Sequence, residues 1–146
     1  MDLKEEIEQK SASIKVSKLP IIKGIPFQIR QLFINLISNS LKFAKVGVPS
    51  EITIEATAMK DKDMNFLKNK PLNQYHKITI KDNGIGFNSK YNQDIFKVFY
   101  RLHSKQYSGS GIGLSICKKI AEASEGYIEA MGKEGEGTTF NIYFHE

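Results

Sequence analysis

The chain has 146 residues, of which 40% are hydrophobic and 25% are charged, with a net charge of +5 and a single cysteine, Cys117. This composition is typical of one globular domain, and one cysteine excludes both an internal disulfide framework and a metal site built from several thiolates. The scattered basic residues leave nucleic acid, an acidic surface and a polyphosphate open as partners. The apolar runs are too short to span a bilayer, and the acidic, polar first ten residues are unlike a signal peptide. We therefore expect a single domain over 1–146, located in the cytoplasm and without direct membrane insertion.

The first predicted elements are a short helix, an edge strand and a long helix. Residues 2–11 favour helix but carry only Leu3 and Ile7 as apolar anchors, so 1–12 is predicted to rest on the domain or to lead in from an upstream one. The alternating segment SIKVSKL, stopped by Pro20, predicts an edge strand. A long helix is predicted from Pro26 to about Lys45. Its apolar residues recur at helical spacing: Ile29, Leu32, Phe33, Leu36, Ile37 and Leu41.

Strand patterns dominate the rest of the chain. They occur at 51–59 and 75–82, with a polar, lysine-rich loop between them, and again in a terminal hairpin formed by YIEAM, GKEGEG and TTFNIYF. Residues 88–108 are polar and weakly periodic, which predicts a mobile region around one short helix in DIFKVFYRLH. A second good helix is predicted after GSG. One face of this helix carries Ile112, Ile116, Cys117 and Ile120, and the final strand points Phe140, Ile142 and Phe144 inward.

Helices and mainly antiparallel strands are mixed in this pattern without a βαβ rhythm. An alternating βαβ order would predict a doubly wound parallel sheet with helices on both faces. The pattern instead predicts an α+β fold, a two-layer α/β sandwich in which a mixed, mainly antiparallel sheet packs against helices.

The long helix carries an amide stripe opposite its apolar residues. Gln31, Asn35, Asn39 and Lys42 fall within a narrow arc at about 100° per residue. A solvated face is the ordinary interpretation, but asparagine is a poorer helix former than the residues that such a face usually carries. Amide oxygens suit a hard cation and a lysine suits an anion, so the stripe favours magnesium together with a phosphate.

Three glycine-rich segments are candidates for binding. In ITIKDNGIGF, Asp82 shares a strand face with Ile78 and Ile80, where a carboxylate is costly unless it accepts hydrogen bonds, although a capped turn also explains the sequence. GSGIGLS leads into a helix whose start can bind an anion, but it has neither dinucleotide-fold nor P-loop spacing. GEGTTF alone is a hairpin turn. Each segment is weak evidence by itself, whereas their order after an asparagine-bearing helix is rare.

In this order the segments resemble the catalytic, ATP-binding domain of bacterial two-component sensor histidine kinases, within the superfamily that includes gyrase, Hsp90 and MutL. QLFINLISNSLKFA is similar to the N box, DNGIGF to the G1 box, IFKVFYRLH to the F box, GSGIGLSICKKIA to the G2 box and GEGTTF to the closing glycine motif. The RLH ending is similar to kinases linked to PAS or phytochrome sensors. The resemblance covers nearly the whole chain and implies a Bergerat-type fold that binds ATP and Mg²⁺.

The resemblance also implies roles for individual residues. Asp82 accepts a hydrogen bond from the adenine amino group, and Gly84 and Gly86 let the backbone pass close to the ring, with Ile85 at its edge. On the long helix Asn39 is the magnesium ligand, Asn35 its neighbour on the same face, and Lys42 a phosphate contact. The nucleotide contacts at the second helix and the closing motif are Gly109, Gly111, Ile112, Gly113, Leu114 and Thr138.

Residues 88–108 correspond to the ATP lid of the family. Phe96 and Phe99 are expected to anchor this lid, and Arg101 or Lys105 to reach the phosphates. Three departures from the family pattern leave these ligand-binding groups intact: Ser40 replaces the usual alanine after the N-box asparagine, Ser110 replaces a threonine, and SEG replaces a His-Gly-Gly turn.

The residue at position 35 bears on the type of reaction. Hydrolytic relatives carry a glutamate base there, four residues before the N-box asparagine, whereas this chain has Asn35. We therefore expect phosphoryl transfer to an external nucleophile, with catalysis by positioning and by charge neutralisation from magnesium and Lys42, instead of efficient hydrolysis.

A phosphoacceptor histidine is not evident in the sequence. In the family it lies in a helical dimerisation domain before an acidic residue, whereas His76 is in a strand pattern, His103 is in the lid and His145 is near the end of the sequence. We expect an excised, monomeric catalytic domain that phosphorylates a separately supplied domain and serves a response regulator indirectly. A superfamily ATPase, a protein-serine kinase, and a non-enzymatic scaffold or nucleic-acid binder remain the alternatives, of which nucleic-acid binding is not expected.

Overall fold

The computed structural model describes residues 3–59, 75–102 and 111–146. The helices are α1 (Lys4–Gln9), α2 (Pro26–Lys42) and α3 (Gly113–Ala123), and the strands are β1 (Ser13–Val16), β2 (Glu51–Thr57), β3 (Tyr75–Asp82), β4 (Tyr127–Lys133) and β5 (Gly137–His145). The predicted lysine-rich loop falls largely in 60–74, outside the described residues. None of the helices in the described ranges is long and apolar enough to cross a membrane.

The described strands form one five-stranded sheet in the order β1-β2-β3-β5-β4. β1 pairs in parallel with β2, and the other pairs are antiparallel, with Ile80 opposite Ile54 on one side and Phe140 on the other. The predicted mixed, mainly antiparallel sheet is therefore confirmed, including β1 at its edge. The parallel β1–α2–β2 unit was not evident in the sequence, because β1 has four residues and only Ile14 is even partly buried.

The core lies between the sheet and helices α2 and α3. Leu32, Leu36 and Leu41 of α2 are buried as predicted. Phe140, Ile142 and Phe144 of β5 are fully buried on the helix-facing side of the sheet, also as predicted. The two layers required by the α+β prediction are thus present. Leu3, which precedes α1, and Ile7 of α1 pack against the same core from its margin, so the predicted short helix is present.

Helix α3 differs in part from its predicted apolar face. Cys117 and Ile120 are buried, but Ile112 and Ile116 are each 36% exposed. Ile112 precedes the first helical residue, and Ile116 lies about 100° around the helix from Cys117. The face that meets the core contains Ser115, Cys117, Ile120 and Ala121.

The Cys117 thiol is a packing group of this core. It is fully buried, and its S–H donates to the Leu32 carbonyl oxygen of α2 at 3.7 Å. Burial raises the pKa of the thiol to about 12. The side chain is therefore protonated at neutral pH, in agreement with the predicted buried thiol, and is unsuited to act as a nucleophile.

Candidate functional site

Asp82, the last residue of β3, points into the helix-facing side of the sheet and is 7% exposed. Its Oδ1 atom accepts the N–H of Gly84 at 2.9 Å and that of Thr138 at 3.2 Å. Burial raises the pKa of the Asp82 carboxyl, and these two N–H groups and the Ser40 hydroxyl oppose that shift. The Ser40 hydroxyl lies near the Asp82 carboxylate but makes no hydrogen bond to it. The inward acid expected from the strand alternation is therefore present, and two backbone donors hold it.

The loop after Asp82 runs between the end of α2 and the β4–β5 hairpin. Ile85 donates its N–H to the Phe43 carbonyl oxygen at 2.9 Å and accepts the Gly135 N–H at 2.8 Å. A Cβ atom on Gly84 would lie 2.5 Å from the Phe43 oxygen, and one on Gly86, whose φ is +62°, would overlap the Lys133 oxygen. Only glycine fits at either position. The loop is thereby fixed beside the acid and presents backbone to the neighbouring space.

A cavity of about 270 Å³ lies between α2, the start of α3, this loop and the segment that follows it. Nine residues predicted from the sequence line it: Asn35, Asn39, Lys42, Gly86, Arg101, Gly111, Gly113, Leu114 and Thr138. Its mixture of apolar walls and a few converging polar groups is typical of a small-molecule site. The structure therefore brings residues from five separate sequence segments to one cavity.

Asp82 was predicted as a ligand contact but does not line this cavity. The carboxylate lines a neighbouring open cleft of about 600 Å³, and Thr138 lines both spaces. The acid therefore lies in the cleft, and Thr138 connects this cleft to the cavity. Gly84 and Ile85, also predicted as contacts, do not line the cavity; the Gly84 N–H bonds to Asp82, and the Ile85 backbone bonds to Phe43 and Gly135.

Two cations face the same part of the cavity. Lys42, at the end of α2, has its pKa lowered first by burial and then by the positive charge of Arg101. Both side chains line the cavity, together with Gly111 and Gly113 at the start of α3. Two like charges at one wall favour an anionic ligand, because it relieves their repulsion. The start of an α-helix adds unpaired backbone N–H groups.

The two asparagines of α2 have different surroundings. Asn35 accepts a hydrogen bond on Oδ1 from Gln31 Nε2 at 2.7 Å and donates its amide N–H to the Gly113 carbonyl oxygen at 3.3 Å. It therefore ties α2 to the first residue of α3. The Asn39 side chain lines the cavity and makes no hydrogen bond within the described part of the chain, so its amide oxygen is available to a ligand.

The segment 88–102 corresponds to the described part of the predicted lid. It contains two short 3₁₀ turns, Ser89–Tyr91 and Asp94–Phe96, in place of the predicted single helix. Phe96 is 7% exposed and packs edge-on against Phe140, with ring centroids 6.3 Å apart, so it attaches this segment to the sheet, and it lies outside the cavity lining. Asn92 provides a further attachment, since its Oδ1 accepts the Gly132 N–H at 2.9 Å.

Phe99 was wrongly predicted as a second anchor. It is 72% exposed and has a φ of +64°, a backbone conformation that is uncommon outside glycine. Its N–H donates to the Gly111 carbonyl oxygen at 2.8 Å, which fixes this conformation and joins the segment to the start of α3. Ile112, also predicted as a contact, lies outside the cavity lining. Lys105 and Gly109 are outside the described residues, so their predicted roles are not tested.

Several cavity residues were missed in the sequence. Ser38 lies one helical turn before Lys42 and belongs to the same helix face, so the amide stripe could have included it. The remaining wall is apolar or aromatic and carries no local signal of binding, since such residues equally serve a core. These residues are Phe43, Phe87, Ile95, Tyr100, Leu102 and Phe140.

A helix with an amide and a lysine, a second helix start and a glycine loop surround one cavity, and the inward acid lies in the cleft beside it. The chain belongs to the family of histidine kinase-, DNA gyrase B- and HSP90-like ATPases, whose model matches residues 24–146. The resemblance to histidine kinase catalytic domains is thereby confirmed.

The chain has relatives that include a phytochrome-like protein and a sensor protein kinase. It is 36% identical over 140 residues to the phytochrome-like protein Cph1 of Synechocystis sp., covering 95% of this chain and 17% of that protein. It is 36% identical over 121 residues to the sensor protein kinase WalK of Staphylococcus aureus, covering 80% of this chain and 26% of that protein. The chain thus spans about a fifth of the length of these relatives.

Solved structures confirm the fold. The mycobacterial sensor histidine kinase MprB superposes with a TM-score of 0.76 at 19% identity, over 98% of this chain and 90% of that one. Full-length ShkA in complex with AMPPNP superposes with a TM-score of 0.74 at 22% identity, over 97% of this chain and 27% of that one. The predicted α+β sandwich is therefore the fold of histidine kinase catalytic domains.

Proposed function

We propose that this domain binds ATP with Mg²⁺ and donates the γ-phosphoryl group to a histidine on a separate dimerisation domain, in two-component signal transduction. The observation that carries the proposal is an arrangement of charge: two cations, Lys42 and Arg101, line the cavity, and a buried acceptor, Asp82, lies in the neighbouring cleft, which shares Thr138 with the cavity. ATP has the matching order, with an amino group on its base and negative charge on its phosphates. The AMPPNP complex of the structural relative ShkA supports the same ligand.

Magnesium fits the donor groups of the cavity. Mg²⁺ is usually held by one or two protein oxygens together with substrate phosphates and water. The Asn39 amide oxygen lines the cavity without a protein partner in the described ranges, and Lys42 lies one helical turn away on the same face. When bound, the ion neutralises phosphate charge. Asn39 would hold it, while Lys42, Arg101 and the N–H groups at the start of α3 orient the phosphates.

Transfer to an external nucleophile is favoured over hydrolysis. A hydrolytic site needs a general base near the attacking water, and no carboxylate lines the cavity in the described residues. Asn35, at the position of the base in hydrolytic relatives, is an amide already bonded to Gln31 and Gly113. The remaining catalytic means are positioning and charge neutralisation, which suffice for phosphoryl transfer once an acceptor is supplied.

The proposal includes the context of the domain. Helix α1, within 1–12, would lead in from an upstream dimerisation domain that carries the histidine, and 88–108 would form the ATP lid. The response regulator would be reached indirectly, through that histidine. We propose that the isolated domain is monomeric, bacterial and cytoplasmic, in a parent protein that is either soluble or membrane-anchored.

The test is a transfer assay with radiolabelled ATP and Mg²⁺, in which a histidine-bearing dimerisation domain is supplied as a separate chain. The expected product is a labelled acceptor whose phosphate is lost in acid and retained in base, as phosphohistidine is. Acid-stable label would instead identify a serine kinase, and phosphate release without an acceptor would identify an ATPase. Binding of AMPPNP by calorimetry, with and without Mg²⁺, separates a failure of transfer from a failure of binding.

Lys42→Gln should weaken AMPPNP binding by about tenfold, because one charge-assisted phosphate contact of about 1.5 kcal/mol is lost. Adenosine, which has no phosphate, should bind the variant and the wild type equally. Calorimetry with both ligands measures the difference. Lys119→Gln removes the same charge from an exposed position on α3 outside the cavity, and it should change neither affinity. An equal loss for adenosine and AMPPNP would show that Lys42 does not contact phosphate.

A further inference from the structure

Ser40 has a buried hydroxyl without a hydrogen-bond partner. It lies in the C-terminal part of α2 and is 1% exposed, and its Oγ atom is one of two buried side-chain polar atoms left unpaired within the described ranges. The other is Oγ of Ser50, also 1% exposed. Burial of a hydroxyl without a partner costs free energy, so such a group calls for a physical explanation.

Local structure gives no reason for serine at this position. In a helix interior alanine is the better helix former and has no polar group to desolvate. A helical serine often compensates by bonding the carbonyl oxygen four residues earlier, yet Ser40 makes no such bond. Residues that break a local rule without a local gain are concentrated at functional sites. The reason for serine at position 40 must therefore lie in its tertiary contacts.

Ser40 lies close to Asp82, the residue expected to accept a hydrogen bond from the adenine amino group. It follows the cavity residue Asn39 and lies one turn before Phe43, whose carbonyl oxygen holds the loop after Asp82. Its hydroxyl is close enough to the Asp82 carboxylate to lower the pKa of that group. Both backbone N–H donors to Asp82 act on Oδ1, so neither fixes Oδ2 directly. A hydroxyl donor is thus available beside an acid that is held at one oxygen.

We propose that Ser40 is a positioning residue for base recognition: its hydroxyl donates to the Asp82 carboxylate in the ligand-bound protein and directs the free carboxylate oxygen toward the amino group of the purine. This inference rests on the proposed function, since it needs a purine nucleotide in the site. A carboxylate held from two sides loses less rotational freedom when it accepts the ligand amine. Ser40→Ala should therefore reduce recognition of the amino group specifically.

The experiment compares two ligands on two proteins by calorimetry. The ligands are ATP and the purine riboside triphosphate that lacks the 6-amino group, both with Mg²⁺ and without an acceptor domain. In the wild type, loss of the amino group should weaken binding by about tenfold or more, the value of one charge-assisted hydrogen bond. In Ser40→Ala the ratio of the dissociation constants for the two ligands should be smaller by at least about threefold, because Asp82 then binds the amino group less well.

Ser50→Ala is the matched control, because it removes an equally buried and unpaired hydroxyl that lies outside the cavity and the neighbouring cleft. It should leave the ligand ratio unchanged. Neither variant should lower the melting temperature, since each removes an unpaired polar group. If the wild type discriminates and Ser40→Ala discriminates equally well, the inference is overturned and the proposed function stands. If the wild type binds neither ligand, the proposed function itself fails.

Discussion

Asp82→Asn should weaken AMPPNP binding by at least about 30-fold, or about 2 kcal/mol. Asparagine keeps one oxygen for the N–H groups of Gly84 and Thr138, so the local backbone is retained. The second group becomes an amide NH₂, a donor that faces the donor amino group of adenine, and the charged acceptor is lost. Calorimetry on wild type and variant measures the change.

The same substitution should not destabilise the unliganded protein. The pKa of the buried Asp82 carboxyl is raised above 3.8, so over the interval above 3.8 the folded protein holds a proton that the unfolded chain has released. Stability is therefore lost as the pH rises through the folded pKa, and at neutral pH the ionised carboxylate lowers the free energy of unfolding. Asparagine removes this ionisation. The melting temperature of Asp82→Asn at pH 7 should equal or exceed that of the wild type.

Asp94→Asn is the control for this prediction. It makes the same chemical change at a half-buried carboxylate that pairs with the exposed Lys97 at 2.8 Å. Its AMPPNP affinity should match the wild type, because exposed ion pairs contribute little. A lower melting temperature in Asp82→Asn would mean that the binding loss is structural. Unchanged AMPPNP affinity would exclude Asp82 as the base-reading group.

The parts of the fold that were predictable have strong periodic patterns. Helix α2 has an apolar stripe long enough to fix both its type and its buried face, and the alternation of β3 was sufficient to place Asp82 on the core side. The family was recognisable because the glycine segments are specific in their order. Helix α3 has fewer turns, so its apolar stripe is shorter, and the prediction that Ile116 belongs to the buried face was wrong.

The remaining features depend on contacts that are distant in sequence. The hydrogen bond from Asn35 to Gly113 spans 78 residues, so no local pattern could show that this amide is occupied. Phe99 adopts a left-handed backbone conformation because its N–H is bonded to Gly111, and a solvent-exposed aromatic at this position looks like a core anchor in sequence. The two 3₁₀ turns are too short to produce helical periodicity.

Gly86→Ala should lower the free energy of unfolding by about 3 kcal/mol or more, a fall in melting temperature of about 6 to 12 °C for a domain of this size. The added Cβ would overlap the Lys133 carbonyl oxygen and lie 2.7 Å from that of Gly137, and both are backbone atoms of the β4–β5 hairpin. Relief of the overlap requires the loop and the hairpin to separate, which breaks the hydrogen bond from Gly135 to Ile85. Thermal unfolding followed by circular dichroism measures the change.

Gly135→Ala separates this overlap from the cost of backbone conformation. Gly135 has a φ of +77°, close to the +62° of Gly86, but a Cβ there would meet nothing within 4 Å. It should therefore show only the left-handed penalty of alanine, about 1 kcal/mol. Equal losses for the two variants would mean that the loop does not approach the hairpin as closely as the structure shows. A much larger loss of unfolding free energy at Gly86 would establish that the close approach of the two backbones fixes the loop beside Asp82. The AMPPNP affinity of the folded Gly86→Ala protein should then also fall.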